Sequence, residues 1–134
     1  MKFLLDTDVL SASRRPERAV AVATWLRSKQ EEDLYLSVVT LGEIERGIAL
    51  QAGRQPEFAA ELRAWIDRTV RLFADRLLPF GPEEARLWGR LSAKLGHDGA
   101  DLQIAATALA QGAVVVTGNV SDFEPTGAEV ENPF

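Results

Sequence analysis

Hydrophobic positions change rhythm along this chain, and each change marks an element. Lys2 to Leu5 is a short apolar run suited to a buried strand, and Pro16 to Lys29 then spaces Val20, Ala23, Trp25 and Leu26 as on one helical face. Leu34 to Val39 is rich in β-branched and aromatic residues and predicts a second strand. The following Thr40-Leu41-Gly42-Glu43 has capping-box spacing, so a helix is expected from there to about Ala52, with Glu43 at its entrance. Gly53 to Pro56 punctuates. Glu57 to Arg76 then carries Phe58, Leu62, Trp65, Ile66, Val70 and Phe73 in a long helical stripe. Leu77 to Phe80 predicts a third strand, confined by Pro79 to an edge or a strand end, and Gly81-Pro82-Glu83-Glu84 opens a helix that ends near Gly96. Gly99 to Gln111 is alanine-rich and helical with Asp101 in its first turn. Ala113 to Thr117 has the β-branched composition of a central strand, and the tail from Glu129 to Phe134 adds a small edge strand. Strands alternating with helices, without repeats or linkers, predict an α/β fold. A single domain over residues 1–134 is expected, with a central parallel sheet of about four to five short strands covered by helices on both faces.

Composition narrows the chemistry. A chain of 134 residues is long enough to bury roughly two thirds of its unfolded surface in one core. It has no cysteine and one histidine, which removes disulfides, thiolate catalysis and most zinc sites. The apolar run at Phe3 to Leu5 is broken by Asp6, too short for a signal-peptide core, and no run approaches membrane-spanning length, so a cytoplasmic protein is expected. Twenty acidic against fifteen basic side chains give a formal charge of -5. That balance opposes wholesale adsorption to nucleic acid or anionic membrane, so any phosphate-binding surface must be local.

The acids fall where a parallel sheet would gather them. Asp6 follows the first strand, Asn119 and Asp122 follow the Val114–Thr117 run, and Glu43 and Asp101 stand at helix starts. Open α/β sheets place their sites at one edge, beyond the carboxyl ends of the strands. Two like charges about 4 Å apart repel by roughly 4 kcal/mol at an effective dielectric near 20, so such a cluster calls for a cation. Oxygen-only ligands suit Mg²⁺ or Mn²⁺, which bridge carboxylates to substrate phosphate and support phosphodiester hydrolysis. Each acid also has a structural reading: an Asx-type turn for Asp6, capping of the Thr40 backbone for Glu43, a favourable charge at a helix start for Asp101, and turn formation for Asn119 and Asp122. Arg14, Arg15 and Arg18 follow the first strand, and Arg46 lies one turn beyond Glu43; these are the candidate cations for substrate phosphates in an acidic chain. Trp25, Trp65 and Trp88 lie in helical stripes and are assigned to packing, and His97 to a solvated helix end.

Four segments resemble, in order, the motifs of the PIN-domain ribonucleases, and within them the VapC-type toxins of bacterial toxin–antitoxin pairs. They are Phe3 to Ser11 with Asp6, Thr40 to Gly47 with Glu43, Asp101 to Ala108, and Val116 to Phe123. Asp8 stands where asparagine is common, Gly118 where arginine is common, and Asn119 where many members carry a fourth acid, which leaves Asn119 and Asp122 as alternatives for completing the site. Val130 to Phe134 is similar to the family's usual ending. The resemblance implies a Mg²⁺- or Mn²⁺-dependent endoribonuclease that is the toxin of a toxin–antitoxin pair. Asp6, Glu43 and Asp101 would hold the metal and Asn119 or Asp122 would orient water or a second ion. Thr7 and Thr117 would position neighbouring groups through their hydroxyls. It also implies a homodimer, an RNA substrate, and a cognate antitoxin whose segment covers the active-site groove. Two competing readings remain open at this point. Asp6-Thr7-Asp8 after a strand also looks like the nucleophile motif of haloacid-dehalogenase-type phosphatases, although Leu10 stands where that family wants threonine or valine. A module that binds RNA or a partner without cutting is the other.

Overall fold

A computed structural model describes residues 1–134. Five parallel strands form one sheet: β1 (Lys2–Leu5), β2 (Leu34–Ser37), β3 (Leu77–Leu78), β4 (Ala113–Val116) and β5 (Val130–Glu131), in the order β3-β2-β1-β4-β5. The alternation of side chains along each strand builds two cores. Phe3 and Leu5 of β1 and Val114 and Val116 of β4 pack on one face, while Leu4, Ala113 and Val115 pack on the other. The first face is covered by α1 (Thr7–Ser13), α2 (Val20–Arg27), α3 (Val38–Ala52) and α4 (Pro56–Leu72), which supply Val9, Val22, Ile48 and Ile66 to that core. The second is covered by α6 (Ala100–Gln111) and α7 (Val120–Phe123), which contribute Ile104, Ala105 and Phe123, with Leu91 of α5 (Pro82–Leu95) packed against them. The expected fold class is therefore the observed one.

Boundaries differ from the sequence expectation in ways that matter for the site. The turn after β1 is a helix: the Asp6 side chain caps α1 by accepting from the Thr7 amide, so the chain is helical again within one residue of the strand. The helix expected from Pro16 starts only at Val20, and Val20 itself is 63% exposed, the inward positions being Val22 and Ala23. β2 ends at Ser37, whose hydroxyl accepts from the Val39 amide and caps α3. Helix α3 thus starts two residues before Thr40, which is buried inside it. The capping-box reading of Thr40 and Glu43 is corrected accordingly: Glu43 sits in the second turn, free of any capping duty. Helix α4 ends at Leu72 rather than Arg76. Arg76 is instead buried, donating to the carbonyls of Glu31, Leu34 and Leu72 and so tying the end of α4 to the start of β2. β3 and β5 are the sheet edges, as Pro79 and the tail predicted.

The order of the strands fixes where a site can form. From β1 the chain winds outward to β2 and β3 on one side, then returns across to β4 and β5 on the other. The reversal leaves a crevice beyond the carboxyl ends of β1 and β4, the place where open parallel sheets bind ligands.

Candidate active site

Asp6 occupies that crevice because β1 stops there. Its amide still donates to the Val116 carbonyl (2.9 Å), which holds it in the ladder with β4, while its side chain leaves the sheet. The carboxylate is 6% exposed and firmly held. Oδ1 accepts from the Thr7 amide (2.8 Å) and Oδ2 from the Thr117 hydroxyl (2.7 Å). Thr117, fully buried at the end of β4, accepts in turn from the Asn119 amide (2.9 Å), so a chain of hydrogen bonds runs from the β4–α7 loop into Asp6. Burial raises the Asp6 pKa from 3.8 to about 6, aided by the charges of Asp8 and Glu43 and opposed by the Thr117 and Thr7 hydrogen bonds.

The other acids reach the same cleft from separate elements. A recess of about 230 Å³ is walled by Asp6, Asp8, Glu43, Asp101, Asn119 and Asp122. All five residues predicted as catalytic are among these, together with Asp8, which the motif contains but the expected acid set did not. The signals for it were its place in the first motif and its separation of two residues from Asp6: one helix start turns both carboxylates to the same opening. Asp8 Oδ2 accepts from the Gly118 amide (2.9 Å), pinning the loop after β4 to α1. Glu43 Oε1 accepts from the Thr7 hydroxyl (2.5 Å), which also shares a hydrogen bond with the buried Thr40 hydroxyl (3.1 Å). Asp101, in the first turn of α6, stands near the positive end of that helix as expected. Asn119 and Asp122 are not simple turn residues: Asn119 precedes and Asp122 belongs to the short helix α7.

The donor set is entirely oxygen and strongly negative, the chemistry that suits Mg²⁺ or Mn²⁺. As the side chains stand, no three carboxylates are gathered into a ready ligand set; Glu43 accepts from Thr7 and Asp8 from Gly118. Glu43 is exposed, and that engagement is a single hydrogen bond to a hydroxyl.

The predicted cations separate. Arg14 lines an apolar groove of about 380 Å³ between α1, α3 and α4, its guanidinium 5.3 Å from the Phe58 ring centroid; Thr7 and Glu43 border both this groove and the acid recess. Arg15 faces the opposite side, in a groove that meets the recess at Asp8 and Asn119. Arg46 is exposed on α3 and lines neither. Trp25 and Trp65 pack against the core, Trp25 edge-on to Phe3 with ring centroids 5.3 Å apart and its Nε1 donating to Glu131 (3.2 Å). His97 is exposed and accepts from the Gly99 amide (3.4 Å).

An open parallel sheet with an acid recess at its switch point defines an α/β protein of carboxylate chemistry, and the comparisons assign it further. The PIN domain model matches residues 3–124. The chain is 36% identical to the VapC ribonuclease Y4jK of Sinorhizobium fredii, over 98% of this chain and 97% of that one, and 33% identical to toxin FitB of Neisseria gonorrhoeae, over 98% of each. The crystal structure of FitAcB from Neisseria gonorrhoeae contains a chain that superposes with a TM-score of 0.85 at 33% identity, covering 98% of this chain and 97% of that one. The chain belongs to the PIN-domain family. The haloacid-dehalogenase alternative falls with that assignment. No helix is long and apolar enough to cross a membrane.

Proposed function

We propose that this chain is a Mg²⁺- or Mn²⁺-dependent endoribonuclease acting as the toxin of a toxin–antitoxin pair. The observation that carries the reading is the convergence of Asp6, Glu43 and Asp101, from three separate elements, on one recess at the switch point of a PIN-domain sheet. These three residues would hold the metal. Bound there, the ion supplies an activated water and neutralises charge on a phosphate oxygen. The protein's share is positional. Thr117 and the Thr7 amide fix both oxygens of Asp6, so this carboxylate faces the recess in one orientation. Thr7 donates to Glu43, and Asn119 or Asp122, which both line the recess, would orient water or a second ion. The relatives named a VapC ribonuclease and a toxin, and the FitAcB complex, support the same reading.

Partner binding belongs to the proposal. The groove walled by Ile44, Ile48, Phe58, Leu62 and Trp65, with Arg14 and Gln51 among its polar lining and Glu43 where it borders the acid recess, would take an amphipathic antitoxin segment with a basic side chain near the acids. The proposed working form is a cytoplasmic homodimer.

Total RNA incubated with purified chain tests the activity, in Mg²⁺ or Mn²⁺ and again with EDTA, with Asp6→Asn as the control for contaminating nuclease. Fragments that require metal and vanish in the variant are the expected result. Cutting that persists in Asp6→Asn would remove the acid recess from the reaction.

A further inference from the structure

The largest groove on the molecule, about 760 Å³, opens beside the acid recess and is not needed to hold a metal. Arg15 and Arg18 line one part of it, Asn132 and Phe134 another, and it meets the acids through Asp8 and Asn119. Phe134 is the informative residue. The residue is 55% exposed, yet it is not loosely placed. The Phe134 amide donates to Asn132 Oδ1 (3.0 Å), and the ring lies so close over Gly118 that a Cβ there would stand 2.9 and 3.0 Å from two ring carbons and 3.1 Å from Asp8 Oδ2. Only glycine permits that approach. The Gly118 amide in turn donates to Asp8 (2.9 Å), so the ring touches a loop that is hydrogen-bonded to a residue of the acid recess. An exposed aromatic residue and two arginines lining the same groove are the pairing that single-stranded nucleic acid uses: a base on the ring and phosphates on the arginines. In a chain whose formal charge is -5, Arg15 and Arg18 share this groove with Asp8, so attraction for phosphate here is local to those two side chains rather than spread over the surface.

Building on the ribonuclease reading, we infer that this groove is a nucleotide subsite for the RNA strand next to the scissile phosphate. Phe134 stacks a base, Arg15 and Arg18 hold flanking phosphates, and Gly118 is glycine because the ring must lie over it. Stacking accepts any base, so the subsite selects for an unpaired nucleotide rather than for a sequence.

The test measures binding apart from cutting. A short fluorescein-labelled oligouridylate is titrated by anisotropy against the Asp6→Asn chain in Mg²⁺ over a series of salt concentrations, so that the probe stays intact. Adding Phe134→Ala is expected to weaken binding at least about fivefold with the salt slope unchanged, and Phe134→Trp to restore it. Adding Arg15→Gln and Arg18→Gln is expected to lower the log–log salt slope by about 1.4, two phosphates at about 0.7 each for a single strand. Arg86→Gln with Arg90→Gln, on α5 and outside every groove, is the charge-matched control, and thermal melting verifies that each variant is folded. If the parent binds the probe and all groove variants bind it equally well, the subsite is wrong while the ribonuclease reading stands, and the groove passes to a protein partner. If the unmutated chain neither binds nor cuts RNA, the ribonuclease reading fails and the subsite with it.

Discussion

At the scale of single residues, Asp6 is a carboxylate kept where a carboxylate is uncomfortable. Its pKa is 3.8 when unperturbed and about 6 in the fold. Between those values the folded chain binds the extra proton and the unfolded chain does not, so stability falls as pH rises through this window and the penalty is complete above pH 6. At about 1.4 kcal/mol per unit the penalty amounts to roughly 3 kcal/mol. Asp6→Asn removes it but weakens the bonding with Thr117, a loss of about 1 kcal/mol. The variant should therefore be more stable than the parent in metal-free buffer at pH 7.5, by about 1–2 kcal/mol, and the advantage should shrink below pH 6, reach zero between about pH 4 and 5, and turn into a deficit of up to about 1 kcal/mol at lower pH. A constant difference across that range would mean that the charge is not the cause. Thr117 works in the opposite sense, because its hydroxyl serves both Asp6 and the Asn119 amide in a fully buried place. Thr117→Val leaves the shape and removes both bonds, with an expected loss of about 1–3 kcal/mol in chemical denaturation and a fall in RNA cleavage. Thr117→Ser should recover most of each. Equal losses in Val and Ser would point to the methyl group instead.

At the scale of elements, what the chain reveals depends on length. Four patterns were legible through a repeated period or clear start and stop residues: the stripe of α4, the apolar run of β4, the alanine-rich α6, and Pro82 opening α5 with Gly96 closing it. Helices α1 and α7, of seven and four residues, were not, since neither is long enough to display a helical period and α1 announces itself only through Asp6 as a cap. The start of α3 was misplaced for a related reason. Ser37 and Thr40 are both competent caps, and the choice is made by the sheet: β2 pairs with the two-residue β3 only at Leu36 and Ser37, so the ladder runs out at Ser37 and the next amides need another acceptor. Ser37→Ala should cost about 1 kcal/mol in chemical denaturation, whereas a change at Thr40 acts through packing inside the helix. An unchanged midpoint for Ser37→Ala would mean that the cap is redundant. The site shows the same division. Asp6, Glu43 and Asp101 could be placed on one edge from topology alone. The division of Arg14 and Arg15 between opposite grooves could not, because it depends on how the unpredicted α1 turns the chain.

At the scale of the whole molecule, a formally acidic chain concentrates negative charge at the one place where its parallel strands end, and this couples metal, proton and stability. A divalent ion that enters the recess binds the folded chain and not the unfolded one, so it stabilises by RT ln(1 + [L]/Kd), about 2.7 kcal/mol at a hundredfold excess over Kd. It also competes with the proton on Asp6, whose pKa of about 6 places that competition in an accessible range. Mg²⁺ should therefore raise the melting temperature of the unmutated chain in a concentration-dependent manner at pH 7.5, well beyond NaCl of equal ionic strength, and the shift should dwindle at pH 5. Asp6→Asn should lose most of the shift at pH 7.5, and Arg15→Gln with Arg18→Gln should keep it, since those cations lie in the neighbouring groove rather than at the recess. A shift that NaCl reproduces would reduce the effect to general screening of a net-negative protein. One that survives in Asp6→Asn would place the ion elsewhere, and would separate the metal from the carboxylate on which the sheet, the Thr117 bond and the α1 cap all converge.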